Sequence, residues 1–201
     1  MKKGFGLALV LLCAGHVAAA AGHDDDSVVS WRNIAGVITA PGIDNPVAVT
    51  TDARNNVVSQ IHSGTLPWVT RTGSASVDLT TGAARFAVNG LVLDGGNATG
   101  TSGPINQVVG TLVCNPGSTE ATQPQTIVDT PPVSLSGNGN ARFSGELTNP
   151  VPLPCNNPLF LIRIGPAFGA FAGRWLATGV EPRSGRSDES HGDDDRRHER
   201  R

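Results

Sequence analysis

The sequence predicts an all-β protein, an antiparallel β-sandwich or a closely related β-barrel, and three observations support this. Apolar and polar residues alternate with a period of two through much of residues 28–181, as in strands with one buried face. Turn-forming residues recur about every 8–12 residues. No stretch carries the pattern of an amphipathic helix. Many short strands joined by such turns are typical of sandwiches and barrels.

The clearest hairpin is predicted at residues 74–93. Residues 74–79 and 84–89 alternate apolar and polar positions on either side of a turn at residues 80–83. Gly90 then shifts the alternation, as a β-bulge would.

A second hairpin is predicted at residues 133–147, around a turn at residues 137–140. Both hairpins return through Ala-Arg-Phe, at residues 84–86 and 141–143. Two similar hairpins in one β protein explain this more simply than an internal duplication does. Further strands are predicted at residues 28–38, 46–50, 55–61, 66–71, 105–114, 126–130, 158–165 and 170–178.

Residues 1–21 have the three parts of a secretory signal peptide. Two lysines precede an apolar run, and small residues follow at positions 17–21. The run is shorter than the roughly 20 residues that a membrane span needs. A lipid anchor on Cys13 is the weaker interpretation, because bulky Leu12 adjoins it. We therefore expect a secreted protein, periplasmic or extracellular, with no membrane span.

Removal of the signal leaves one domain, residues 22–181, and a charged tail, residues 182–201. The tail carries six acids and six arginines with almost no apolar residue, a composition that predicts disorder. The mature chain has 13 arginines, no lysine and 17 acids. This acidic balance argues against nucleic acid as the main partner. The expected partner is instead an extracellular macromolecule or a glycan.

The mature chain contains two cysteines, Cys114 and Cys155. In an oxidising compartment an even pair predicts a disulfide. Metal binding by the two thiols is the poorer interpretation, because no Cys-x-x-Cys motif is present. A paired cysteine also offers no nucleophile for catalysis.

Residues 60–68, QIHSGTLPW, contain the residues that first suggest a binding site. Trp68 could stack on a sugar, with His62 beside it, so these two form a candidate ligand platform. Trp31 and Trp175 lie in predicted strands, and Trp175 shares an apolar stripe with Phe171, so both tryptophans are assigned to the core.

The composition favours a non-catalytic binding or structural module over an enzyme, and no cofactor is predicted. The domain lacks a Gly-x-Ser-x-Gly elbow, lysine, tyrosine and a free cysteine. The alternative is an extracellular hydrolase acting on envelope or extracellular polysaccharide. It would need two carboxylates that face each other across a cleft, and the sequence marks no such pair among the eight acids of residues 28–181.

A third hypothesis is weak binding of a divalent metal near the two ends of the mature chain. Carboxylates combined with imidazole are suitable ligands, although solvated charge runs explain the same pattern more simply. The candidate ligands are His23, Asp24, Asp25, Asp26, His191, Asp193, Asp194 and Asp195.

Four segments together resemble a group of uncharacterised secreted bacterial all-β proteins, common in actinobacteria. They are GTLPWV at 64–69, FAVNGLVL at 86–93, VGTLVC at 109–114 and LPCNNP at 153–158. That group has a GLPW turn, a GLVL strand and two cysteines; here Thr65 replaces the glycine of the turn. The resemblance implies paired cysteines and an all-β fold, but no activity. It also implies that Leu66-Pro67-Trp68 starts a strand and that His62 is exposed beside it.

Overall fold

The computed structural model describes residues 27–184, except for the side chains of residues 181–184. It confirms an all-β, antiparallel protein. The predicted signal peptide, residues 22–26 and the tail beyond Ser184 lie outside the described residues. The strands are β1 (Val28–Gly36), β2 (Val47–Thr51), β3 (Val57–Ile61), β4 (Trp68–Val69), β5 (Thr72–Asp78), β6 (Ala83–Asn89), β7 (Val92–Leu93), β8 (Gln107–Cys114), β9 (Thr126–Asp129), β10 (Val133–Ser134), β11 (Ala141–Glu146), β12 (Leu159–Ile164) and β13 (Trp175–Ser184).

Nine of these strands form one sheet that curls into a half-barrel. Its order is β10–β8–β12–β13–β1–β5–β6–β11, with β9 paired to β8 outside this path. Two small ladders, β2–β3 and β4–β7, complete the described strands. The predicted hairpin at residues 74–93 is confirmed as β5–β6, with Val77 opposite Ala84.

The predicted second hairpin is wrong in its pairing. A tight turn forms, because the Gly139 N–H donates to the Ser136 carbonyl and the Ser136 N–H to the Asn140 carbonyl. The two strands then diverge: β10 pairs with β8 and β11 with β6, at opposite ends of the sheet path. Just after β11, the Thr148 N–H donates at 2.8 Å to the carbonyl of Asp129, the last residue of β9. The alternation predicts the two strands, but each strand pairs with a partner that is distant in sequence rather than with the other.

Aromatic rings fill the interior of the half-barrel. Phe160 lies 5.4 Å from Trp31 and 6.0 Å from Phe86 between ring centroids. Gly110 makes room for them, since a Cβ there would lie 2.8 Å from both phenylalanine rings. The core assignments of Trp31 and Trp175, 1% and 4% exposed, are confirmed. A filled interior leaves the outer surface and the loops to bind ligands.

The predicted strand at residues 170–178 begins later than expected. Residues Pro166–Phe171 form a 3₁₀ segment that is interrupted at Gly169, and β13 starts only at Trp175. Gly169 and Gly173 both have positive φ, a backbone conformation that is incompatible with a β-strand through residues 170–174. Phe171 is 51% exposed, so its place in a buried stripe with Trp175 was wrong.

The predicted disulfide between Cys114 and Cys155 is confirmed. It joins the end of β8 to the segment before β12, and both cysteines are buried. Within residues 27–184, no helix has the length and apolar character needed to cross a membrane.

Candidate functional site

His62 lies at the surface, in a segment that is fixed against the start of β13. The Trp175 N–H donates to the His62 carbonyl at 2.9 Å, and the Gly64 N–H donates to the Trp175 carbonyl at 2.8 Å. Ser63 therefore forms a parallel bridge with Trp175. The His62 side chain is 48% exposed.

Asp44 is the partner that holds His62. Its Oδ2 atom lies 2.5 Å from His62 Nδ1, and its Oδ1 atom accepts the Ser63 N–H at 2.9 Å. The Ser63 hydroxyl also contacts Oδ1 at 3.3 Å and accepts the Asn45 N–H at 2.8 Å. One carboxylate thus ties residues 44–45 to residues 62–63.

These three side chains do not form a hydrolase triad. In a triad the hydroxyl contacts the imidazole, and the carboxylate contacts the other ring nitrogen. Here the Ser63 hydroxyl contacts Asp44 instead, and Ser63 is completely buried. A buried hydroxyl cannot reach a substrate, so the Asp44–His62 pair serves as a loop anchor.

The pKa of Asp44 is held below its ordinary value of 3.8. Burial alone would raise it, but the hydrogen bonds from His62 and Ser63 and the nearby imidazole outweigh burial. Because the folded-state pKa is the lower one, Asp44 stabilises the fold fully above about pH 4. That stabilisation is lost as the pH falls through the folded-state pKa.

Replacing Asp44 with asparagine is expected to lower the free energy of unfolding by about 1 kcal/mol at pH 7, a figure reduced for solvent screening. The difference from the wild type should shrink towards pH 3, because the native carboxylate takes up a proton as the pH falls through its folded-state pKa. Urea titrations at both pH values measure it. Asp94→Asn, whose side chain makes no hydrogen bond within residues 27–184, should change neither titration; an equal loss for both variants would refute the anchor.

Trp68 does not present an open stacking platform. It is only 3% exposed, so its ring faces are packed rather than displayed. It instead forms one wall of a small apolar pocket of about 180 Å³, the Trp68 pocket. His62 does not line this pocket, so the structure separates the two predicted platform residues. The pocket is lined by Gly64, Thr65, Leu66, Trp68, Leu93, Pro104, Ile105, Ile164, Phe171, Arg174 and Leu176.

The outer face of strands β1, β5, β6 and β11 carries three exposed arginines, Arg32, Arg85 and Arg142, with small side chains between them. We call this surface the arginine face. The register places Arg32, Ser74 and Ala87 in one row with Arg142, and Ser30 and Ser76 in the next row with Arg85 and Ser144. Trp31 and Phe86 lie between these rows and point inwards. The surface between the arginines is an open cleft of about 630 Å³.

The three arginines, Arg32, Arg85 and Arg142, form no ion pair with the side chains that the structure describes, those of residues 27–180; Glu181, which falls opposite Arg32 in the β1–β13 register, lies outside that range. The two ion pairs within that range are His62–Asp44 and Arg163–Asp129. Residues 27–180 contain seven arginines and seven acids, and three of those arginines gather on the arginine face, with Asp78 and Glu146 beyond Arg85 at its edge. Positive charge is therefore in local excess between Arg32, Arg85 and Arg142. Such an excess, with serine hydroxyls between, suits an anionic ligand.

Two carboxylates, Asp78 and Glu146, line a neighbouring open cleft with Arg85. Burial alone would raise the pKa of Asp78, but hydrogen bonds from Thr81 and Thr80 hold it below its ordinary value. A general acid needs a raised pKa, and Asp78 is engaged in its own turn. Asp78 therefore does not supply the general acid that the hydrolase alternative requires.

No group of three or more potential metal ligands occurs within residues 27–184. The metal candidates at residues 23–26 and 191–195 lie outside the described residues. For those residues, metal binding stays a sequence-based prediction.

The sequence prediction missed the arginine face. Arg85 and Arg142 stood out only as the middle residues of the two Ala-Arg-Phe tripeptides. The structure pairs β6 with β11 and sets Phe143 opposite Phe86, which brings the two arginines onto one face. The signal in the sequence was the repeat, but its meaning depended on a non-local pairing.

Comparisons with known proteins give no family for this chain. No protein-family model, no curated protein and no solved structure matches it.

Proposed function

We propose that this protein is an exported, non-catalytic binding module that holds an acidic polysaccharide on its arginine face. The observation that carries the proposal is the set of three exposed arginines that form no ion pair with the described side chains, those of residues 27–180. Export rests on the sequence of residues 1–21, and the disulfide suits an oxidising compartment.

The spacing of the arginines suits an extended ligand. Arg85 and Arg142 occupy diagonal positions on adjacent strands, about 7–8 Å apart. Arg32 lies three strands from Arg142, about 14 Å away at the usual strand separation. A small anion could contact one pair only, whereas a polymer with repeated carboxylate or sulfate groups contacts all three.

The floor between the arginines also suits a sugar chain. Ser74, Ser76 and Ser144 provide hydroxyl groups that donate or accept hydrogen bonds, and Ala87 leaves the surface flat. No exposed tryptophan lies on this face, so binding would depend on ion pairs and hydrogen bonds rather than stacking. We therefore expect the affinity to fall as salt increases.

The double variant Arg85→Gln/Arg142→Gln is expected to bind an acidic polysaccharide at least about tenfold more weakly, since each lost contact contributes about 1 kcal/mol. Polygalacturonate and dextran sulfate are suitable probes, with neutral dextran as the blank. Isothermal titration calorimetry at about 50 and about 300 mM salt measures affinity and salt dependence together.

Arg54→Gln/Arg71→Gln is the matched control, because it removes the same charge from exposed positions outside the arginine face. It should retain most of the affinity. Equal losses in both double variants would show non-specific attraction and contradict the proposed site. Tighter binding of duplex DNA than of either polysaccharide would contradict the proposed ligand class.

A further inference from the structure

We propose that the Trp68 pocket is a second binding site, for a small organic acid with an aromatic or short aliphatic tail. It does not depend on the arginine face. The pocket is lined mainly by apolar side chains, among them the buried Leu93, Ile105 and Leu176. Its volume of about 180 Å³ suits a single ring or a short acyl chain, since an apolar cavity of about 150 Å³ accommodates benzene.

Arg174 supplies the charge that selects an acid. It is half-buried at the pocket wall, and its Nη1 donates to the Ser63 carbonyl at 2.8 Å. Arg163, the other half-buried arginine of the described chain, has a carboxylate partner: its Nη2 lies 2.6 and 2.7 Å from the two oxygens of Asp129. Arg174 has no such partner among the described side chains of residues 27–180.

A partly buried guanidinium without a counter-ion is costly, and a ligand carboxylate would supply the missing partner. Two features of the wall support the same occupant. A Cβ added to Gly64, a lining residue, would lie 3.2 Å from the indole Nε1 of Trp68, which makes no hydrogen bond to the described residues. Phe171, 51% exposed, lies at the pocket and offers an apolar cover for a bound tail.

The geometry therefore orients the ligand. The apolar tail lies between Trp68, Ile105 and Leu176, and the carboxylate meets the free N–H groups of Arg174. A neutral analogue would keep the apolar contacts and lose the ion pair. An amine would place a positive charge beside Arg174 and should be rejected.

The test titrates the full chain with benzoate, benzyl alcohol and benzylamine, followed by ligand-detected saturation-transfer NMR. We expect benzoate to bind with Kd on the order of 0.1–1 mM, benzyl alcohol about tenfold more weakly, and benzylamine not measurably. Equal binding of the acid and the alcohol would overturn the assignment to acids. The absence of benzoate binding would overturn the site.

Three variants locate the binding. Arg174→Gln should weaken benzoate about tenfold and leave benzyl alcohol unchanged, while Arg174→Lys should lose less because it keeps the charge. Thr65→Phe, at a half-buried wall position, should block both ligands by filling the pocket. Benzoate binding that instead disappears in Arg85→Gln/Arg142→Gln would assign it to the arginine face and overturn the second site.

Discussion

Replacing Cys114 and Cys155 with serine is expected to lower the free energy of unfolding by about 4 kcal/mol. The bridge closes a loop between residues 41 positions apart, and its removal restores that conformational entropy to the unfolded chain. Both positions are buried, so two new hydroxyl groups would add a desolvation cost. Guanidinium unfolding monitored by tryptophan fluorescence measures the loss.

Asn115→Gly provides the comparison for the disulfide. Asn115 joins the same two segments: its Oδ1 accepts the Asn156 N–H at 2.9 Å, and its Nδ2 donates to the Pro154 carbonyl at 3.2 Å. Glycine tolerates the left-handed φ of 52° while removing these bonds, at a cost of about 2 kcal/mol. If the serine variant lost no more than this, hydrogen bonds rather than the covalent link would hold the segments together.

Gly139→Ala is expected to lower the free energy of unfolding by about 3 kcal/mol or more. Gly139 has a φ of 74°, and an added Cβ would lie 2.3 Å from the carbonyl oxygen of Leu91. The Leu91 N–H also donates to the Gly139 carbonyl, so the two backbones cannot separate without losing that bond. Left-handed strain and overpacking therefore act at one position.

Gly82→Ala separates these two effects. Gly82 has nearly the same φ, 75°, but no atom lies within 4 Å of an added Cβ. It should therefore lose only the conformational part, about 1 kcal/mol. Thermal unfolding of both variants gives the comparison; equal losses would mean that the close approach to Leu91 contributes nothing.

Local sequence patterns were sufficient to predict much of the fold. The alternation at residues 74–89 predicted β5 and β6 because both partners and their turn lie within one short segment. The disulfide was predictable because the mature chain offers one pair of cysteines. The pairings of β10 and β11 were not predictable from the sequence. Period-two alternation indicates which face of a strand is buried, but it does not indicate which strand lies beside it.

The candidate sites depended more heavily on three-dimensional structure. Trp68 suggested a platform because a tryptophan ring can stack on a sugar, yet its burial is decided by β13 and by the loop around Ile105. Arg174 was not singled out, since an arginine beside a tryptophan carries no signal in the sequence. Arg174 becomes a candidate ligand-binding residue only in the structure, because Arg163, which is also half-buried, has a carboxylate partner and Arg174 has none among the described side chains.

The placing of β1 and β13 side by side has a consequence for how the chain folds. These are the first and last described strands, and they pair from Val29 with Ser184 to Gly36 with Ala177, near the middle of the sheet. Because β13 is central in the sheet and comes last among the described strands, the half-barrel cannot be completed before β13 has been synthesised. Folding should be slow, as expected for pairings so distant in sequence, and a chain truncated before Trp175 should stay unfolded rather than form a partial sheet. Such a delay would suit the export proposed from the sequence of residues 1–21.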